Sequence, residues 1–340
     1  MVMVSLQRLD WNECDWERMD AYHDRVIFQT REWVSFVART QNAEPVIAAV
    51  NDGATTVGYF TALIVRRFGA GILGSPFPGW TTSYMGFNLD DGVPRREALK
   101  ALPTFAYRSL GCLHFELKDR WVGAGDASDL GFAQELNHTF ELDLRASEEE
   151  MFSRMSSSCR WSVRKAEKAG VLVEEAADLT FADDYYAQLV DVFAKQSLTP
   201  TYGVDRVREL IRALSPTGRL LLVRARAPSG ECIATGIFPA MNGTAYFWGS
   251  ASWRQHQHYR PNEAIFWHAM KYWKHRGMNF LDLVGGGDYK RKYGPAELTV
   301  PSFRKSRIAG LAQLRDVAEV LSRRKFRQKV MSSREQGGQH

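Results

Sequence analysis

Apolar and polar residues fall in blocks that recur once along the chain. VIAAVNDGATTVGYFTALIVRR (46–67) joins two apolar, β-rich runs through Asn51-Asp52-Gly53, which is hairpin turn chemistry. LLLVRARAPSGECIATGIFPAM (220–241) repeats the design through Pro228-Ser229-Gly230. A helical stretch punctuated by aromatics precedes each hairpin, at Arg31 to Gln41 and at Phe181 to Gln196. A further strand and a longer helix follow each. Each half then closes on a strand after a glycine, Gly111 before CLHFEL and Gly277 before MNFLDL, where the glycine stops the helix. The order helix, hairpin, strand, helix, strand returns at an offset of about 165–180 residues. It predicts an α/β (α+β) chain of two similar lobes, residues 1–145 and 146–310, followed by a tail at 311–340. The division is expected near Asp143 to Glu149.

Charge and composition change this picture in one place. The 340 residues carry 44 basic and 39 acidic side chains, net +5. Residues 303–330 hold nine basic and two acidic residues, net +7, which leaves −2 for residues 1–302. The basic character therefore belongs to the end of the chain, where it suits a polyanion such as tRNA or the surface of an anionic membrane. No run of about 18 apolar residues occurs, so no transmembrane segment is predicted. Cys14, Cys112, Cys159 and Cys232 are far apart and show neither a disulfide framework nor metal-ligand spacing. The expectation is a cytoplasmic protein without a metal.

The second half carries the candidate chemistry. From Glu150 the chain reads EMFSRMSSSCRWSVRKAEKAGVLVEE, which predicts one helix from about Glu148 to a stop at Gly170. Arg160 and Arg164 are four apart and share a face, with Lys165 beside them. Arginine forks at that spacing suit phosphate or carboxylate. Residues 244–251 read as an aromatic strand containing Trp248, and Tyr259 follows in a polar segment with two histidines. Pro261 then opens a helix, with Asn262 and Glu263 in its first turn. The N–H groups from Asn262 to Ala264 are free to receive an anion, and Glu263 suits the helix dipole. Finally FLDLVGGGDYKRKYG (280–294) ends a strand in three glycines, where backbone can turn sharply or approach a ligand. Asp288 is placed to cap the helix that follows, and Lys290 and Tyr293 to share its face. No P-loop, GxSxG, HExxH or leading GxGxxG motif is present.

These segments carry a resemblance. The order of elements resembles a tandem GNAT acyltransferase. SSSCRWSVRKAEKAGVLVE is similar to the Ser-rich, Arg-x-x-x-Lys-Ala-x-x-x-Gly-Val segment of the Fem-like family. YRPNEAIFWHAMKYWKHRGMNFLDLVGGGDYKRKYGP resembles that family's closing signature, a Gly-rich turn before Tyr/Phe-Lys-x-x-Tyr/Phe-Gly. Phe28-x4-Trp33-x2-Phe36 resembles its opening. The similarity covers about residues 25–305. It implies transfer of an acyl or aminoacyl group to an amine held between two lobes. Its members include aminoacyl-tRNA-dependent transferases acting on peptidoglycan precursors and acyl-CoA-dependent relatives associated with exopolysaccharides. The chain departs from ordinary GNAT enzymes in lacking the Q/R-x-x-G-x-G/A pyrophosphate loop within 250–262. It also lacks the long coiled-coil arm of some Fem members.

Such a transfer needs an oxyanion donor and a proton acceptor. Lys290 and Lys292 are candidates to hold the carbonyl oxygen or a phosphate, and Tyr289 or Tyr293 to donate to the oxyanion. Asp282 and Asp288 are the candidate carboxylates for proton removal. Arg160, Arg164, Lys165, Trp248, Tyr259, Asn262, Glu263 and Gly286 complete the expected binding set. No Ser-His-Asp or Cys-His array is evident, so direct transfer is expected. The co-substrate is acyl-CoA or aminoacyl-tRNA, with no tightly bound cofactor. The acceptor is a cell-wall precursor, a polysaccharide amine or a small molecule. The rival reading is a catalytically silent tandem module that binds nucleic acid or another polyanion through the tail and the Arg160 face.

Overall fold

A computed structural model describes residues 4–67, 70–194 and 197–308. The basic tail expected at 311–340 lies outside the described residues, as do Lys195 and Gln196.

The first half contains β1 (Val4–Arg8), α1 (Trp16–Asp20), α2 (Arg31–Gln41), the hairpin β2 (Glu44–Asp52) and β3 (Thr55–Arg67), then β4 (Ala70–Ser75), β5 (Gly86–Leu89), α3 (Arg95–Thr104), β6 (Cys112–Lys118) and β7 (Ala133–Asp143). The second contains α4 (Glu148–Arg154), α5 (Ser157–Lys168), β8 (Leu172–Ala176), α6 (Phe181–Ala194), α7 (Val204–Leu214), the hairpin β9 (Leu220–Arg226) and β10 (Cys232–Met241), then β11 (Thr244–Tyr246), β12 (Gly249–Ser252), α8 (Pro261–His275), β13 (Phe280–Asp282) and β14 (Ala296–Ser306). Both hairpins and the helices Arg31–Gln41 and Pro261–His275 follow the predicted pattern.

Local chemistry explains the boundaries. Thr30 Oγ1 accepts from the Trp33 N–H at the start of α2, and Asn42 closes that helix in the left-handed region at φ 51°. The single helix expected from Glu148 to Gly170 is instead two. Ser147 caps α4, and Ser156 caps α5 by accepting from the Cys159 N–H. The chain breaks at Met155 because the Ser156 N–H donates to Lys292 O, outside any helical ladder. The strand expected over 244–251 likewise breaks at Phe247 and Trp248, whose N–H groups donate to Asp282 O and Ile237 O.

The sheet does not divide where the sequence repeat does. Its order is β1-β2-β3-β4-β6-β14-β7-β13-β11-β10-β9-β8, with β5 on β3 and β12 on β10. β7, from the first half, pairs antiparallel with β13 of the second. β14, the last strand, inserts between β6 and β7. The two halves are thus joined by continuous backbone hydrogen bonding rather than by a linker. A buried core also crosses between them, where Phe28, Val34, Phe36 and Tyr84 meet Val207, Leu210, Tyr246 and Trp248. Burial of an aromatic or aliphatic side chain contributes about 1.5–3 kcal/mol, so this shared core opposes separation of the halves.

Gly294, at φ 78°, ends the last turn before β14, and a Cβ there would meet the Arg154 carbonyl. Gly294→Ala should destabilise the chain by about 1–2 kcal/mol from the left-handed backbone alone, and further from that collision. A urea titration showing no loss would contradict the placement of α4 against this turn.

Candidate active site

The turn after β13 is built from the strand outward. Val284 has φ 56°, a conformation that a β-branched residue adopts only when its surroundings hold it there. Four hydrogen bonds do so. Asp282 Oδ1 accepts from the Val284 N–H at 2.7 Å, and Thr139 Oγ1 accepts from the Gly285 N–H at 3.1 Å. Lys290 Nζ donates to Val284 O at 2.7 Å and to Gly285 O at 3.0 Å. Lys290 is 5% exposed, so these two carbonyls stand where water would solvate a free ammonium. Burial pushes its pKa below the ordinary lysine value, and Asp282 pulls it back up. Gly285 continues the turn at φ 78°. The N–H groups of Gly286 and Gly287 bond to no described residue.

Behind the turn lies a buried network drawn from both halves. Asp282 is fully buried and accepts from Tyr84 Oη at 2.7 Å and Thr139 Oγ1 at 2.6 Å. Arg120 donates to Tyr84 Oη at 3.2 Å and to Glu141 Oε2 at 2.5 Å, and sits 3.7 Å from Asp282. Burial pushes the Glu141 carboxyl up, against the pull of Arg120. Burial, then Asp282, holds the Tyr84 phenol well above its ordinary value. Two buried carboxylates with one arginine between them are stable only while that arginine stays.

In front of the turn is a cleft of about 540 Å³. Val284 and Gly285 form one wall, residues 76–83 the roof, and β6, β7 and β14 the floor, with Glu116, Lys118, Glu135, Asn137, Ser302 and Arg304 facing in. The roof is pinned from both halves. Trp33 Nε1 donates to Thr82 Oγ1 at 3.1 Å, and Arg206 of α7 donates to Trp80 O and Thr81 Oγ1. Lys118 is half-buried. Burial lowers its pKa, while Asp282 and Glu135 raise it.

The residues singled out from sequence are only partly brought together. Asp282, Gly286 and Lys290 meet at the turn. Asp288 does not cap the short helix after it. Gly287 occupies the cap position, and the Asp288 side chain is exposed beside Arg291. Tyr293 is buried and stacked on Phe266 at 4.4 Å, a packing role, whereas Tyr289 stands exposed beside Gly287. Lys292 pairs with Glu263 at 2.6 Å, which places a cation against the first turn of α8. Asn262 Nδ2 donates to Ser252 Oγ. Arg160 does not reach outward as a phosphate clamp. Its guanidinium bonds to Ser153 O and Met155 O, closing the break between α4 and α5. Arg164 lies over Phe152 and Lys165 over Trp161. Trp248 is buried against Tyr202, and Tyr259 packs on His258.

Sequence reasoning missed Tyr84, Lys118, Arg120, Thr139 and Glu141. Only Lys118 left a local trace. The strand CLHFELK alternates buried apolar residues with His114, Glu116 and Lys118, a polar row on a face that a plain core would not need. Among the described residues no cluster of His, Cys, Asp and Glu could hold a metal ion, and no helix is long and apolar enough to cross a membrane.

Known proteins agree with this architecture. Residues 153–293 match the model of the acetyltransferase (GNAT) domain. FemX superposes with a TM-score of 0.74 at 14% identity, covering 91% of this chain and 99% of its own. The C-terminal domain of a putative lysylphosphatidylglycerol synthetase from Agrobacterium fabrum gives 0.55 at 11% identity, covering 85% and 91%. L-PGS from Bacillus licheniformis gives 0.54 at 11%, covering 90% and 96%. No curated protein matches the chain in sequence. This chain is therefore an acyltransferase with a GNAT acetyltransferase domain over residues 153–293, and it shares the fold of FemX along most of its length.

Proposed function

We propose that the chain moves an acyl or aminoacyl group from a thioester or ester donor, acyl-CoA or aminoacyl-tRNA, to an amine held in the cleft between its halves. The observation that carries this reading is the strained turn at Val284 facing that cleft, followed in the chain by Gly286 and Gly287, whose N–H groups bond to no described residue. The amine nitrogen attacks the donor carbonyl, forming the new C–N bond. The oxyanion is received by the Gly286 and Gly287 N–H groups, with Tyr289 at the open side. The C–S or C–O bond then breaks, and the leaving thiol or alcohol takes up the proton that the amine sheds. No acyl-enzyme is invoked, because among the described residues no cysteine lines the cleft and no histidine there could activate a hydroxyl. Lys290 acts as a positioning residue, since both its bonds go to the carbonyls of the turn. Asp282 anchors the same turn, since its oxygens are taken by Tyr84, Thr139 and Val284.

Acetyl-CoA and a charged tRNA pool, each with a panel of amines, test this. One donor should support turnover, and a donor at 100 times its Kd should stabilise the chain by about 2.7 kcal/mol in a thermal shift. Absence of both turnover and shift with either donor would overturn the reading.

A further inference from the structure

The cleft floor carries charge in an ordered way. β6 presents His114, Glu116 and Lys118 on one face, and β14 sets Ser306, Arg304 and Ser302 opposite them in register. β7 adds Glu135 opposite Ser302. His114 Nδ1 lies 2.7 Å from Ser306 Oγ, and its Nε2 lies 3.5 Å from Glu116. Asn137 Nδ2 donates to Ser302 Oγ at 3.0 Å. The charged side chains lining the cleft are therefore Glu116 and Glu135 against Lys118 and Arg304, formally neutral in sum.

Lys118 stands apart. The nearby buried cations are all engaged, Lys290 on two carbonyls, Arg120 on Tyr84 and Glu141, Arg95 on Asp24. Lys118 Nζ has no hydrogen-bond partner among the described residues, although Phe77, Leu117 and Phe303 wall the same cleft. Half-buried in the cleft wall, its ammonium keeps only part of its hydration and has no protein partner in exchange. A ligand carboxylate arriving there restores it with a charge-assisted hydrogen bond. A diphosphate suits the cleft poorly. It brings at least two negative charges to one uncommitted cation and meets Glu116 and Glu135 on the same floor.

We propose that the cleft takes an amine carrying its own carboxylate, an amino acid or a short peptide with a free C-terminus, with the carboxylate on Lys118 and the amine toward the turn at Val284 and Gly285. This rests on the acyl-transfer reading of the cleft. Among the acceptors implied by the Fem resemblance it selects a small zwitterion over a cell-wall precursor or a polysaccharide amine.

Isothermal titration of the full chain with the common amino acids and alanyl-alanine, each as free acid and as C-terminal amide, and with UDP-N-acetylglucosamine tests this. At least one free acid should bind, and its amide should bind at least tenfold more weakly. Lys118→Met should remove that preference with an unchanged thermal midpoint, and Lys118→Arg should restore most of it. Equal affinity for acid and amide, an unaltered Lys118→Met, no binding by any free acid, or tighter binding of the UDP-sugar would each overturn the assignment. The two readings fail separately. A zwitterion that binds but is never acylated by either donor sinks acyl transfer and leaves the cleft assignment standing. Acylation of the amide as fast as the free acid sinks the cleft assignment and leaves acyl transfer standing.

Discussion

Lys290→Met lowers turnover by about 10²–10³-fold while leaving donor affinity close to that of the parent chain. The substitution keeps the aliphatic stem and removes both hydrogen bonds to Val284 O and Gly285 O. Val284 then holds its left-handed conformation with only the Asp282 and Thr139 contacts, and the turn relaxes toward an extended path. The Gly286 and Gly287 N–H groups leave the position proposed for the oxyanion. Loss of one oxyanion donor costs about 2.7–4 kcal/mol of transition-state stabilisation, which sets the expected scale. Folding also loses two hydrogen bonds to a charged group, about 1.5–3 kcal/mol each before hydration of the freed carbonyls offsets part of the loss. Single-turnover rates beside donor titrations check this. Lys290→Arg separates positioning from charge, because the guanidinium keeps the charge but not the geometry, and it should recover little. A variant with full turnover would remove Lys290 from the mechanism.

Arg120→Met gives the largest loss of stability, about 3–5 kcal/mol at neutral pH, because it strands Glu141 and Asp282 as neighbouring buried carboxylates. The loss depends on pH with a definite sign. Burial already holds the Glu141 carboxyl above its ordinary value, and removing Arg120 raises it further. A carboxyl whose folded pKa exceeds its unfolded value favours the folded state below the unfolded value, and that advantage disappears as pH rises through the folded value. The deficit of Arg120→Met should therefore be smaller near pH 4–5 than near pH 8. Urea titrations of parent and variant at both pH values measure it. A deficit that does not change with pH would mean that Glu141 is not stranded as the geometry requires.

The two hairpins and the first-turn proline of α8 were legible because their chemistry is local. Asn51-Asp52-Gly53 and Pro228-Ser229-Gly230 specify turns within a few residues, and Pro261 can stand only near a helix start. The glycine turn at 285–287 was legible for the same reason, and with it Lys290 as a residue of interest. Its role was not. The spacing of Lys290 and Tyr293 places them on one face but does not say that the lysine folds back onto the carbonyls of its own turn. Arg160 and Arg164 share a face as their spacing requires, yet Arg160 closes a helix break that no periodicity announces.

What the sequence determined by itself was the alphabet of local elements, a repeated order of them, and a second half with GNAT-like motifs. Only the tertiary structure decided that β7 and β14 cross between the halves, since strand register over more than 100 residues depends on which faces can be buried together. That crossing brings Thr139 and Glu141 of β7 against Asp282, and Tyr84 and Arg120 against both. It also sets Lys118 opposite Ser302 on a cleft floor where the last strand, β14, lies between β6 and β7 from more than 150 residues earlier in the chain. A buried polar network satisfies its partners through space, so its members leave no spacing to read along the chain.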